Sequence, residues 1–226
     1  MFGVTTNLRD NAVAPDAIRA RVLANRVDSI EELRAIVGDP TEAVRTKHTA
    51  WLTPLIREYL RASAFFLLGT SDADGNCDVT PRGDSTSVIR ILDDRTLVIP
   101  DRPGNRRVDS FRNILANPHV GLLFLIPGIE EALRINGRAT ITRDPEILAE
   151  MSIQGRPAVL GIVVEIDLVF VHCARAMLRA RLWDPKTWPD DDAIPTLAAM
   201  WNEQKDLPAP DESAGKRREG YRAELY

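Results

Sequence analysis

Apolar residues recur in this sequence at two different intervals, and the change from one to the other divides it. Between Ala14 and Gly38, Ile18, Val22, Ile30, Leu33 and Val37 stand among polar residues at helical spacing, and Gly38-Asp39-Pro40 ends the series. Asp28-Ser29 is a candidate break within it. A second helical stretch runs from Thr41 to Ala64, with Val44, Trp51, Leu55, Ile56, Tyr59 and Leu60 as its stripe and Pro54 as a candidate kink. From residue 64 the spacing becomes that of strands. AFFLLGTSD closes on an Asp74-Gly75 hairpin signal and CDVTPRGD continues from it; SVIRIL and TLVIP flank the turn DDR. A helix is expected over 105–116, with Asn105 as N-cap and Val108, Phe111, Ile114 and Leu115 on one face. HVGLLFLIPG and ALRINGRATITRD are strands joined near Pro127-Gly128, and a short helix at 144–151 leads into AVLGIVVEIDLVFVHC, a long strand bent midway. ARAMLRARLWDP and IPTLAAMWNEQ are helical, and the charged tail from about Lys205 predicts no fixed structure.

Six or seven strands, helices inserted singly and mostly hairpin connections indicate an antiparallel barrel rather than a doubly wound sheet. The fold class is therefore α+β, mainly β. The expected partition is an N-terminal helical segment at 1–47, a β-barrel core at 48–185 and a C-terminal helix and tail at 186–226.

Charge and cysteine content narrow the function classes. A formal net charge of -4 implies no basic face broad enough for a nucleic-acid backbone. No apolar run approaches the ~20 residues that cross a bilayer, and the first residues lack the apolar core of a secretory leader. Cys77 and Cys173 are far apart, without C-x-x-C spacing. A cytoplasmic location is expected, with no membrane partner. His48, His119 and His172 stand singly, away from ligand-spaced carboxylates, so no metal site is expected. His172 and Cys173, as neighbours at a strand end, should face opposite sides, which argues against a Cys–His pair. Phosphate-loop, dinucleotide and nucleophile-elbow motifs do not occur. Arg82-Gly83-Asp84 spells an adhesion tripeptide by coincidence.

Arginines beside turns remain. In DRPGNRRVDSFRNIL the expected helix would carry Arg106 and Arg107 in its first turn, where the helix dipole favours anions. A bound phosphate resolves the conflict, since backbone N–H groups and paired guanidiniums would act on it together. The alternative is that Asp101 and Asp109 neutralise these arginines on a solvated surface, where such pairs contribute ~0–1 kcal/mol.

The stretches FFLLGTSDADGNCDVTPRGD, LVIPDRPGNRRVDSFRNILANPHVGLLFLIPG and ALRINGRATI resemble, in this order, the pyridoxamine 5'-phosphate oxidase-related superfamily of FMN-binding split β-barrels. The matching features are Gly104-Asn105-Arg106-Arg107, Asn117-Pro118-His119-Val120 through Phe124, and Gly137-Arg138-Ala139, over roughly 60–175. Within the superfamily the chain is most similar to FMN-dependent enzymes without an assigned substrate. The resemblance implies a six-stranded antiparallel split β-barrel and a homodimer with FMN at the interface. Arg106 and Arg107 would hold the phosphate, with Arg82 as a third cationic ligand. Pro100, Asp101 and Asn105 would line the phosphate–ribityl end, and Ser85, Thr86 and Val88 the isoalloxazine edge. Arg181 and Trp183 would close over the flavin from the partner subunit, although Trp183 reads equally as a core anchor. The C-terminal signature by which pyridoxamine phosphate oxidases grip substrate is missing, and Ala132 or Leu133 stands where those enzymes carry a flavin-contacting glutamine.

The expected function is thus an FMN-dependent oxidoreductase acting on a small molecule, with no catalytic side chain singled out. Two alternatives are a non-catalytic flavin or haem-binding module and a deazaflavin-dependent reductase using Arg134 and Arg138.

Overall fold

The computed structural model describes residues 15–84, 89–190, 193–208, 214–223 and 225. It divides into two compact units, one ending at Thr46 and one beginning at Lys47. The first contains α1 (Pro15–Ala24), α2 (Ile30–Val37) and α3 (Glu42–Arg45). The break expected at Asp28-Ser29 is a helix start: Ser29 Oγ accepts a hydrogen bond from the Glu32 N–H at 3.0 Å, capping α2. No described residue of these helices is buried.

The second unit opens with α4 (Pro54–Ala62). Pro54 does not kink a longer helix. It occupies the first helical position, where a missing N–H costs nothing, and Thr53 Oγ1 accepts from the Ile56 N–H. The strands that follow are β1 (Phe65–Ser71), β2 (Cys77–Gly83), β3 (Arg90–Ile91), β4 (Thr96–Pro100), β5 (His119–Leu125), β6 (Ala132–Thr142) and β7 (Gly161–His172). Between them lie α5 (Asp109–Ala116) and α6 (Pro145–Ala149). α7 (Arg175–Ala180), α8 (Leu197–Gln204) and α9 (Ala214–Ala223) follow the last strand. α9 falls in the tail for which no fixed structure is expected.

All seven strands belong to one sheet in the order β2-β1-β5-β6-β7-β4-β3, and every pairing is antiparallel. The antiparallel expectation holds. The expected count of six does not, and the described sheet is not closed, because β2 and β3 end it without pairing to each other. The inward face is apolar: Phe66 and Leu68 of β1, Leu122 and Phe124 of β5, Leu133 and Ile135 of β6, and Ile162 and Val164 of β7 are essentially inaccessible. The Phe66 and Phe124 rings stack with centroids 4.8 Å apart. Leu60 of α4 and Phe111 and Ile114 of α5 complete this core.

The midway bend of β7 is a bulge. Asn136 pairs with Leu168 and Gly137 with Ile166, so Asp167 has no partner. The inward set on β7 therefore shifts from Ile162, Val164 and Ile166 to Val169. Gly137 is required here, since a Cβ would run into the Glu165 carbonyl oxygen. Its neighbour Ala139 is buried and donates its N–H to the Pro118 carbonyl at 2.7 Å, linking the G-x-A and N-P motifs.

Candidate functional site

The inward face of β2 is polar, the reverse of an ordinary half-buried strand. Asn113 of α5 donates through Nδ2 to Asp78 Oδ2 at 2.8 Å and to Thr70 Oγ1 at 3.0 Å. The Thr80 and Ser110 hydroxyls share a hydrogen bond at 3.3 Å. Arg82, next on this face, donates through Nη1 to Asp101 Oδ1 at 3.4 Å, just past the end of β4. Ser110 and Asn113 are both buried, so α5 docks on β2 through satisfied polar groups.

Two residues beyond Arg82 the pairing repeats with the signs exchanged. Arg102 donates through Nε to Asp84 Oδ2 at 2.7 Å and through Nη2 to the Met151 carbonyl at 2.9 Å. The Asp84 carboxylate is 1% exposed. Arg82-Gly83-Asp84 and Asp101-Arg102 thus form a crossed double ion pair that ties the end of β2 to the end of β4. The two halves are unequal. Charge-assisted N–H···O bonds usually measure about 2.7–2.9 Å, so Arg102 is firmly engaged and Arg82 loosely. Arg82 Nε is also buried without a hydrogen-bond partner. Burial raises the Asp101 carboxyl above its ordinary range, outweighing the opposing charges of Arg82 and Arg102.

The structure removes the conflict read at Arg106 and Arg107. α5 begins at Asp109, not at 105, so its first turn carries an acidic residue. Both arginines lie in the preceding loop. There the Asn105 side chain acts as a turn former rather than an N-cap, Oδ1 accepting from the Arg107 N–H at 3.0 Å. Arg106 and Val108 take left-handed conformations, with φ of 60° and 55°. Arg107 donates to Asp109 Oδ2 at 2.8 Å on the surface, the neutralising contact anticipated as the alternative. No described carboxylate pairs with Arg106, and no side chain caps the α5 N-terminus.

The other expected site residues are distributed as follows. Pro100 lines a cavity of about 230 Å³ with Arg102 and Met151, beside the Arg90–Glu150 ion pair. Arg181 ends α7 and pairs with Asp184 at 2.7 Å. Trp183 donates through Nε1 to the Ile129 carbonyl at 2.9 Å, anchoring the chain after α7 to the β5–β6 turn. Within one chain, then, the described polar partners of these two residues are not Arg82 or Asp101. Ser85, Thr86 and Val88 lie outside the described residues. The candidate Arg138 pairs with Glu165 at 3.5 Å on an exposed face.

A larger cavity of about 660 Å³ opens on the outward face of β1, β2, β5 and β6 beneath α7. Arg134, His172 and Cys173 all line it. The expectation that His172 and Cys173 face opposite sides fails because β7 ends at His172, and strand alternation does not govern the next residue.

Sequence reasoning places Ser110 beside the helix start but misses Asp84, Arg102 and Asn113. A signal was present for Asn113: with Ser110 it interrupts an inward helix face otherwise made of Phe111 and Ile114.

The family profile for pyridoxamine 5'-phosphate oxidase matches residues 52–173. No curated protein matches the sequence. Among solved structures, HupZ of Group A Streptococcus is similar at 19% identity and TM-score 0.43, covering 53% of this chain and 92% of its own. An FMN-binding protein of Syntrophomonas wolfei is 14% identical with TM-score 0.39, covering 52% and 88%. HutZ, the haem-storage protein of Vibrio cholerae, is 16% identical with TM-score 0.38, covering 54% and 93%.

Proposed function

This chain belongs to the pyridoxamine 5'-phosphate oxidase family, and on that premise we propose that it binds FMN and acts as an FMN-dependent oxidoreductase on a small molecule. The observation that carries the proposal is Arg82: a guanidinium held 3.4 Å from Asp101, its Nε buried and unpartnered. A phosphate oxygen meets the needs of such a group better than the carboxylate now beside it. Arg106, without a described carboxylate, and the uncapped N-terminus of α5 fit the same anion. The donor set therefore suits a phosphate monoester.

Arg82, Arg106 and Arg107 would hold the FMN phosphate, with Asp101 and Asn105 toward the ribityl chain. Bound FMN supplies hydride exchange at its N5 atom. The chain's own contribution is binding and orientation. Arg102 and Asp84 tie the end of β2 to the end of β4, and Asn113 and Ser110 fix α5 against β2. A second copy of the chain would bring Arg181 and Trp183 to the flavin.

The test is a titration of purified protein with FMN, with mass spectrometry of any ligand released on denaturation. Quenching of flavin fluorescence with saturable stoichiometry is expected. Protein that stays colourless and takes up no FMN overturns the proposal.

A further inference from the structure

Of the two carboxylates in the crossed double ion pair, Asp101 is the poorly matched one. Asp84 is 1% exposed and accepts the Arg102 Nε–H at 2.7 Å. The Asp101 side chain is also largely withdrawn from water, at 29% exposure, yet its hydrogen bond from Arg82 is 3.4 Å long. Among the described residues Arg82 is its only hydrogen-bond donor. Such a carboxylate has given up much of its hydration for one weak contact. Its main chain is held: the Asp101 N–H donates to the Leu160 carbonyl at 2.8 Å, and Pro100 pairs with Gly161 of β7. Any exchange of partners at Arg82 therefore falls to the side chains.

The charges acting on Asp101 are Arg82 of β2 and Arg102 beside it in the chain. The other carboxylates at these strand ends are engaged, Asp84 by Arg102, Glu150 by Arg90 and Asp109 by Arg107. Arg102 is also committed to the Met151 carbonyl, so Arg82 is the cation whose partner exchanges at low cost. A phosphate oxygen on Arg82 would stand beside the Asp101 carboxylate. Two anions sharing one guanidinium repel, and the weaker acid of the two is driven to leave or to take a proton. Burial already raises the Asp101 carboxyl against the pull of Arg82 and Arg102, which brings that proton within reach.

We propose that Asp101 competes with phosphate for Arg82, so that a phosphate monoester binds by displacing this carboxylate and binds more tightly once Asp101 is neutral. The inference rests on the reading of Arg82 as a phosphate ligand and adds the residue that regulates loading. A carboxylate that accepted from the ribityl hydroxyls would strengthen binding instead, so the two roles differ in sign.

The test compares the full chain with Asp101→Asn, which keeps the shape and removes the charge, by titration with FMN and with riboflavin at about pH 8 and about pH 5. At the higher pH the variant should bind FMN about fivefold more tightly, the worth of one partly exposed ion pair. Riboflavin, which has no phosphate, should bind both proteins alike. At the lower pH the two FMN affinities should converge; the phosphate's own ionisation affects both proteins and cancels in their ratio. Glu165→Gln, which removes a charge paired with Arg138 on an exposed face, controls for net charge and should leave FMN affinity unchanged. Inorganic phosphate alone should raise the thermal midpoint of Asp101→Asn more than that of the unaltered chain. Equal FMN affinities at about pH 8, weakening of both flavins by Asp101→Asn, or a ratio that does not shrink with acid would each overturn the inference while leaving FMN binding intact. FMN uptake by neither protein, with the inorganic phosphate difference preserved, would overturn the FMN reading and keep the competition at Arg82.

Discussion

Arg82 and Arg102 show how two arginines twenty positions apart take opposite tasks from small differences in contact. Arg102 binds a carboxylate that is almost wholly buried, and removing one partner of such a pair is strongly destabilising. Arg102→Gln is expected to cost about 3 kcal/mol, read as a lower denaturant midpoint, with FMN uptake falling in parallel. Arg82 holds a longer, looser contact. Arg82→Gln should therefore leave the midpoint within about 0.5 kcal/mol and weaken FMN by at least tenfold. Equal stability losses for the two variants would mean that the division of labour is wrong. His172 gives a pH prediction. Burial, Arg134 and Lys47 depress its folded pKa below the ordinary value of 6.5, so near pH 6 the unfolded chain binds more protons. Stability from this group is fully present above about pH 6.5, the unfolded value, and is lost as pH falls through the lower folded pKa. In His172→Gln the slope of midpoint against pH between 7 and 5 should be shallower.

Segments were easier to read than their junctions. The alternation in β1, β5 and β6 is clean in the sequence because each has one wet and one dry face, and these strands appear where expected. β2 was legible as a strand, but not in its orientation: its inward residues Asp78, Thr80 and Arg82 look like a solvent face until α5 is known to present Ser110 and Asn113. The start of α5 was misplaced because Asn105 has cap chemistry, yet its side chain serves a turn two residues long. Local sequence cannot tell these apart, since both use one oxygen to accept one N–H. Of the candidate site, the Arg82–Asp101 pair joins two residues singled out in the sequence, but the Asp84–Arg102 partnership was not legible, because it is made by tertiary pairing across eighteen positions. The β7 bulge yields a test of its own. Gly137→Ala should destabilise by about 1–3 kcal/mol, as overpacking does, whereas Gly69→Ala, without a clash, should be nearly neutral. Chemical denaturation of both variants checks the contrast.

Taken as a molecule, the protein is an apolar sheet core with most of its charge chemistry at strand ends and along one outward face. Val79 and the half-buried Leu67 and Leu123 leave that face unusually apolar for a lone subunit. Light scattering is expected to report twice the 25.2 kDa chain mass, as the homodimer expectation requires. A single-chain mass would remove Arg181 and Trp183 of a second copy from the flavin site. No described residue of α1–α3 is buried, so a chain beginning at Lys47 should keep the thermal transition of the full protein within a few degrees.

The sheet order also constrains how the chain is made. β3 and β4 precede β5 in sequence, yet among the described residues their only strand neighbour outside their own hairpin is β7. As a nascent chain leaves the ribosome, β1, β2, β5 and β6 can assemble in turn, while the β4 edge waits unpaired until residue 172 has been synthesised. Translation arrested between β6 and β7 should therefore yield a protease-sensitive, aggregation-prone intermediate, and completion of β7 should close that window in one step.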